Sequence, residues 1–218
     1  MTDEGLTLAL SVAARGRGTQ LLDTSCGACS RCDAGWPLWC VSRGSPRREV
    51  DVDVPHTRAQ ALLAAVVTVS ALAEAAVQDR VVVVHDDPDG AVAAAAAALR
   101  ARAVLRAGRT VPERADGVVA GTDDEVRAHL TDLTPTGRAD VVAIAGGDAR
   151  RALRTVVRGG WLAVGTAAVP AATVTEVVQR ELRIAGPKDV VGVLSGPAGP
   201  DVLRALALSL SAGEQEPA

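Results

Sequence analysis

The stretch Thr24–Cys40, TSCGACSRCDAGWPLWC, holds every cysteine of the chain: Cys26, Cys29, Cys32 and Cys40, in the pattern C-x2-C-x2-C-x7-C. Two-residue gaps let one tight loop aim several sulfurs at a common centre, and a tetrahedral Zn(II) wants four thiolates at about 2.3 Å. Gly27 and Gly35 supply the backbone freedom such a loop needs. Four ordinary buried or free thiols are the plain alternative, and disulfides fit poorly with the reducing compartment argued below. An iron–sulfur cluster competes, because the first three spacings match the bacterial ferredoxin run. That run continues x3-C-P, whereas Cys40 comes after seven residues and is followed by Val41. The pattern favours a structural zinc. With all four positions filled by sulfur, no site is left for water or substrate, and the metal serves folding rather than chemistry.

The whole chain has 218 residues, 23 Lys+Arg against 26 Asp+Glu, a net charge of −3, and 48% hydrophobic residues. That is enough for one large domain or a small domain beside a main one, and it excludes general disorder. The balanced charge gives no basic field for a nucleic-acid backbone and no polybasic membrane patch. The apolar residues are chiefly Ala and Val. There is no Phe or Tyr, and only Trp36, Trp39 and Trp161 supply aromatic surface, so platforms for stacking bases are nearly absent. Residues 1–18 carry acids where a secretion signal needs bases, and their apolar run stops at Arg15. Ala61–Val77 is apolar apart from Glu74 but is closed by Gln78, Asp79 and Arg80, short of the roughly 20 residues a spanning helix requires. No nucleic acid or membrane is expected as partner, and the expected location is the cytoplasm.

Three zones follow. Residues 1–55 contain the cysteines and the polar cluster Ser42–Arg48, which reads as exposed loop. Residues 56–187 alternate helical and β-branched runs, the pattern of an α/β domain with a helix-covered parallel sheet. Its candidate strands are Val81–Val84, Ala103–Leu105, Gly117–Ala120, Val141–Ala145, Trp161–Val164 and Leu182–Ala185; its helices are Gly90–Arg102, Asp123–Leu133 and Asp148–Val157. Residues 188–218 form a C-terminal helix, Asp201–Leu210, and a polar tail. His56, His85 and His129 stand far apart, with no i, i+4 pair, and read as surface or loop residues. No G-x-S-x-G or Walker-type loop occurs.

The run Cys26, Gly27, Cys29, Cys32, Gly35, Cys40 resembles the structural-zinc lobe of the zinc-containing medium-chain alcohol dehydrogenases. ADVVAIAGG (139–147) is similar to that family's fourth nucleotide-domain strand, RGGWLAVG (158–165) to its RPGGRLVLVG segment, and RELRIAG (180–186) to the strand leading out of that domain. The resemblance covers about residues 20–210. It implies a Rossmann-like parallel sheet carrying a small N-terminal structural-zinc lobe, with most of the GroES-like catalytic domain missing. It also implies pairing of nucleotide domains across a sheet edge near Trp161–Thr166, hence a homodimer, or a heteromer if another protein covers that face.

The chain departs from the family where a nicotinamide dinucleotide binds. After Val81–Val84 the glycine turn is replaced by His85, Asp86, Asp87, Pro88, Asp89 and Gly90. Pro88 and Gly90 match the family turn, but the glycines that let backbone approach the pyrophosphate have become His85 and Asp87. Three aspartates oppose an anion there. They also suit a turn and helix cap, and a cation or substrate site using His85 with the aspartates is a further reading. Arg109 falls where the family places its ribose-binding residue and would suit a 2′-phosphate, although Arg100, Arg102, Arg106 and Arg114 equally make it part of a solvated basic face. The family's catalytic-zinc ligands have no counterpart, and the region of its third ligand falls near Thr68. No catalytic residue is assigned. NAD(P) binding is doubtful, with Gly90 and Arg109 its only candidate contacts, while zinc is assigned to Cys26, Cys29, Cys32 and Cys40. Two functions are expected: a catalytically impaired, alcohol dehydrogenase-like zinc protein acting as a binding or accessory partner, or an NAD(P)-dependent oxidoreductase that works without catalytic zinc or completes its site with another chain.

Overall fold

Val81–Val84 has no polar member, and successive side chains of a strand point to opposite faces, so this segment is stable only where both faces are covered. The computed structural model describes residues 9–108, 118–146, 149–165 and 171–212. It places the valines in β4 (Val81–His85) of a six-stranded parallel sheet with β5 (Ala103–Ala107), β6 (Val118–Gly121), β7 (Ala139–Ile144), β8 (Val156–Val164) and β9 (Arg183–Ala185). The order is β6-β5-β4-β7-β8-β9, that of a doubly wound dinucleotide fold, with its switch point between β4 and β7. This is the Rossmann-like α/β sheet the sequence predicts.

The two faces divide the core. Val81 and Val83 pack with Leu105, Val142, Ile144 and Leu162 beneath α4 (Asp123–Leu133) and α5 (Ala149–Leu153). Val82 and Val84 pack with Val104, Val141 and Ala143 beneath α2 (Ala59–Glu74), α3 (Ala91–Ala98) and α8 (Gly199–Ala212). The long apolar run at Ala61–Val77 is α2. It is buried on most of its circumference because the sheet lies on one side and other helices on the other. The alanines of α3 have almost no side-chain bulk, which lets α8 lie close against them. Among the described residues, no helix is long and apolar enough to cross a membrane.

The N-terminal part is a separate antiparallel sheet of β1 (Leu10–Arg15), β2 (Gly18–Ser25) and β3 (Arg43–Val52), in that order. In β2, Thr19, Leu21, Asp23 and Ser25 are the buried face. The buried Asp23 carboxylate accepts from Arg48 at 2.7 Å and from the Ser25 N–H at 2.9 Å. Burial pushes its carboxyl up, but these hydrogen bonds and the Arg48 charge outweigh that and hold it below the ordinary value. Arg48 also donates to Asp189 at 2.7 Å, and Asp189 accepts from the Gly192 N–H at 2.8 Å to cap α7 (Val190–Ser195). One arginine thus ties the small sheet to the C-terminal helices.

Several expectations are corrected. Ser42–Arg48 is not loop: all but Ser42 lies in β3, an outer strand whose residues Arg43–Glu49 are exposed, so polar composition conceals it. Its register shifts between Asp23↔Arg48 and Ser25↔Arg43, which accommodates Pro46. The helix expected over Asp148–Val157 is shorter. It ends at Leu153, and Val156 and Val157 already belong to β8 because their β-branched side chains suit the sheet; Asp148 lies outside the described residues. Trp161–Val164 is not a sheet edge, since Trp161, Leu162 and Ala163 pair with Arg183, Ile184 and Ala185 of β9, and Thr166 lies outside the described residues. The helix expected over Gly90–Arg102 stops at Ala98. Arg100 takes a left-handed φ of 63°, with its N–H on the Ala97 carbonyl at 2.9 Å and the Ala101 N–H on Ala96 at 3.2 Å.

Those two bonds are the helix-terminating pattern that glycine normally occupies, and an L side chain there costs about 1–2 kcal/mol. After allowing for the extra freedom glycine gains in the unfolded chain, Arg100→Gly is expected to stabilise the protein by about 0.5–1 kcal/mol, raising Tm by a few degrees. Thermal unfolding monitored at 222 nm checks this; an unchanged or lower Tm would show that the Arg100 side chain contributes more than its backbone costs.

Candidate functional site

The four cysteines meet at one end of the small sheet. Cys26 directly follows β2, Cys29 and Cys32 flank the first turn of α1 (Ser30–Asp33), and Cys40 ends a single 3-10 turn at Pro37–Trp39. Their sulfurs all lie within 4.8 Å of one another. Cys26–Cys40 is 3.4 Å, Cys29–Cys32 3.6 Å and Cys29–Cys40 3.8 Å. Four sulfurs at about 2.3 Å from a tetrahedral zinc stand about 3.8 Å apart, so the cluster fits that ion with little adjustment, and it is far too open for S–S bonds of about 2.05 Å.

The loop is shaped for anionic sulfur. The Cys26 N–H points to Cys40 Sγ at 3.2 Å. The Cys32 backbone N–H chiefly lowers the Cys29 thiol to about 6, while burial raises Cys32 to about 11. Thiols in mutual contact cannot all ionise without a cation between them. The Cys40 thiol rests on the Ser42 carbonyl at 2.9 Å, and that proton leaves when a metal binds. Gly27 has φ 69°, and a Cβ there would meet the Arg47 guanidinium. Arg47 is thereby laid beside the cluster, a suitable countercharge for a four-thiolate zinc of net charge about −2. The knot is fastened to the rest of the chain by Trp39 Nε1 donating to the Pro187 carbonyl at 2.6 Å and the Leu38 N–H to that of Lys188 at 3.0 Å.

The turn after β4 lies at the switch point, and each of its aspartates has a distinct duty. Asp87 is buried, and Oδ2 accepts from the Ala93 N–H at 2.9 Å, with the Val92 N–H also on its carboxylate. These donors open α3, the position where a doubly wound fold receives a pyrophosphate. Burial pushes the Asp87 carboxyl above its ordinary range, against the pull of the Ala93 N–H and Arg106. Asp89 pairs with Arg58, and the Asp86 N–H bonds the Ala107 carbonyl at 2.9 Å. Arg106, from β5, is buried and lies across the turn, donating to the carbonyls of Asp87 at 2.5 Å and Pro88 at 3.3 Å. Gly90 is the N-cap, with φ 72°, and a Cβ on it would stand 3.1 Å from the Arg106 guanidinium.

Two readings change as a result. Arg106 does not belong to a solvated basic face, because it neutralises the turn from within, and with Arg58 it offsets two of the three aspartates. The Ala93 N–H at the start of α3 is occupied by the Asp87 carboxylate, and the net charge of the turn is reduced. His85 is not a surface residue either. It is 1% exposed, with Nε2 3.1 Å from Thr155 Oγ1. Thr155 Oγ1 donates to the Ala152 carbonyl at 2.8 Å, so Nε2 carries the imidazole proton and donates to Thr155. Burial lowers the His85 pKa, in spite of Asp123 and Asp86, and the ring is neutral near pH 7. Sequence pattern missed this because β4 ends one residue later than its valine run. His56 and His129 are exposed. Arg109 lies outside the described residues. Thr68 sits buried on α2, where its hydroxyl donates to the Ala64 carbonyl at 3.0 Å.

Comparison with protein-family models gives no match, and neither does comparison with curated protein sequences. Solved structures do match. An alcohol dehydrogenase from Thermotoga maritima is 19% identical with a TM-score of 0.62, over 89% of this chain and 68% of that one. L-idonate 5-dehydrogenase from Escherichia coli is 16% identical with a TM-score of 0.59, over 88% and 67%. A protein from Sinorhizobium meliloti described as a zinc-binding dehydrogenase, in a structure with NADP bound, is 16% identical with a TM-score of 0.51, over 92% and 67%. The chain spans about two thirds of the length of these dehydrogenases and, over that span, shares their fold.

Proposed function

We propose that this chain is an alcohol dehydrogenase-like protein stapled by zinc at Cys26, Cys29, Cys32 and Cys40, whose nucleotide cradle is filled by its own Asp87 and Arg106, and that it acts as a binding or accessory partner rather than by hydride transfer. The observation that carries this is the Asp87 carboxylate on the first free N–H groups of α3. A dinucleotide would have to displace a buried carboxylate from the Ala93 N–H, exchanging a made hydrogen bond for others of similar worth. A bound zinc would cross-link the lobe and hold no reacting group. The outer strand β9, with Ile184 half exposed, and the exposed Val178 of α6 (Ala171–Gln179) support a partner or a second copy at that edge.

A second reading has one observation in its favour. The Sinorhizobium meliloti protein of the same fold has NADP bound, so the chain could be an NAD(P)-dependent oxidoreductase that lacks a catalytic zinc or completes its site with another chain.

Cofactor binding, metal content and assembly state test these readings. Calorimetry with NAD, NADP and their reduced forms should give no saturation below about 1 mM, and micromolar binding of any of them reverses the order of the two readings. Asp87→Gly should restore measurable affinity, at least about tenfold over the parent, while His85→Gly alone should not, since its ring faces Thr155. The purified protein should carry one zinc per chain by elemental analysis. Chelation or Cys40→Ser should remove the metal and lower Tm while the far-ultraviolet signal of the large sheet persists, and a visible iron–sulfur band would refute the assignment. Light scattering at tens of micromolar should find a dimer or a co-purifying protein; a clean monomer would count against the accessory role.

A further inference from the structure

At the opposite end of the strands from the nucleotide-type turn, four arginines converge from four separate segments. Arg127 projects from α4, Arg138 immediately precedes β7, Arg154 lies between α5 and β8, and Arg180 follows α6. With Thr131, Thr136 and Glu176 they line an open cleft of about 710 Å³, within the range of small-ligand sites. The arrangement is partly fixed. Arg180 donates to the carbonyl of Leu153 and, at 2.5 Å, to that of Val156, and Arg138 donates to the Arg154 carbonyl at 2.6 Å.

Those bonds satisfy the carbonyls around the end of α5 and would by themselves explain two arginines as helix-end residues. They do not explain the rest. Among the described residues, the one carboxylate paired with Arg127 is Asp124, at 3.6 Å and with its own side chain exposed, and the one paired with Arg180 is Glu176, at 3.8 Å. Among the described residues, Arg138 and Arg154 pair with no carboxylate. Four guanidiniums therefore face two loosely held carboxylates. The strain shows at Arg180, whose pKa is lowered by burial and then by the charge of Arg138. Guanidinium forks match phosphate and carboxylate oxygens two at a time, and a single carboxylate would engage only one fork of this set.

We propose that this arginine-lined cleft is a binding site for a small, multiply charged phosphate compound, with a free or terminal diphosphate group, which the doubly esterified diphosphate of a nicotinamide dinucleotide does not offer, as the recognised element. The proposal is independent of the state of the nucleotide-type turn, which lies at the other end of the strands. A diphosphate could arrive free or as part of a nucleoside diphosphate; both present the same oxygens to Arg127, Arg138, Arg154 and Arg180.

The test is calorimetry of the full chain with inorganic pyrophosphate, ADP and citrate, at low and raised salt. Pyrophosphate is expected to bind with micromolar to submillimolar affinity, to weaken with salt, and to exceed citrate. Arg127→Gln/Arg154→Gln should weaken it about tenfold or more. Among the described residues neither of those side chains donates to backbone, so the double variant should fold with an unchanged melting profile; if it does not, Arg154→Gln alone is measured. ADP binding that falls in parallel in the variant supports the proposal and identifies the nucleotide source. No pyrophosphate binding up to about 10 mM, equal binding of citrate, or binding that the arginine variants leave unaltered would each overturn it.

Discussion

A strand of valines buried on both faces constrains everything around it. Once Val81–Val84 is extended, one set of side chains must be covered by α4 and α5 and the other by α2, α3 and α8, and parallel neighbours require helical crossovers to supply that cover. Because the same strand must end at the switch point, its last residue and the turn beyond it stand at the place where such folds receive ligands. The polar residues there inherit a crowded, partly buried position: His85 Nε2 meets Thr155, Asp89 meets Arg58 and the turn carbonyls meet Arg106, while His85 Nδ1 has no partner among the described residues.

Sequence reading reached the architecture because the large sheet is written in continuous apolar runs. Each predicted strand overlaps an observed one, and α4 matches from Asp123 to Leu133, where Thr122 and Glu125 form a capping box. The four cysteines were equally legible, since spacing alone forces their sulfurs together. What stayed hidden depended on pairing rather than composition. The strand β3 is exposed and polar, so only its bonds to β2 reveal it. Arg106 looked like one of several surface arginines, because nothing local distinguishes a guanidinium that faces outward from one that lies beneath a neighbouring turn. The arginines of the cleft are separated by up to 53 positions, the distance from Arg127 to Arg180, and carry no motif. Helix α4 and the connections that enter β7, β8 and β9 bring them together at the amino ends of the strands.

The two ends of the strands differ in charge. At the carboxyl ends, an acidic turn meets the buried Arg106 of β5 and the partly buried Arg58 from the approach to α2. At the amino ends, Arg138 and Arg180 donate to backbone carbonyls beside the exposed Arg127 and Arg154. A fold of this type commonly concentrates its binding chemistry at the carboxyl ends of its strands; here Asp87 occupies helix donors at that end, and the arginines gather at the other.

The bond from Trp39 to the Pro187 carbonyl spans 148 positions of sequence. Contacts across so long a loop carry a high closure entropy and form only after the intervening sheet has brought their partners near. By this argument the cysteine loop is expected to dock late, onto a sheet already made. Interactions absent from the folding transition state leave the rate of folding nearly untouched and act on the rate of escape from the native state. In kinetic terms a metal held by this lobe would be a clasp: it would govern how long a folded molecule lasts more than how quickly one is formed.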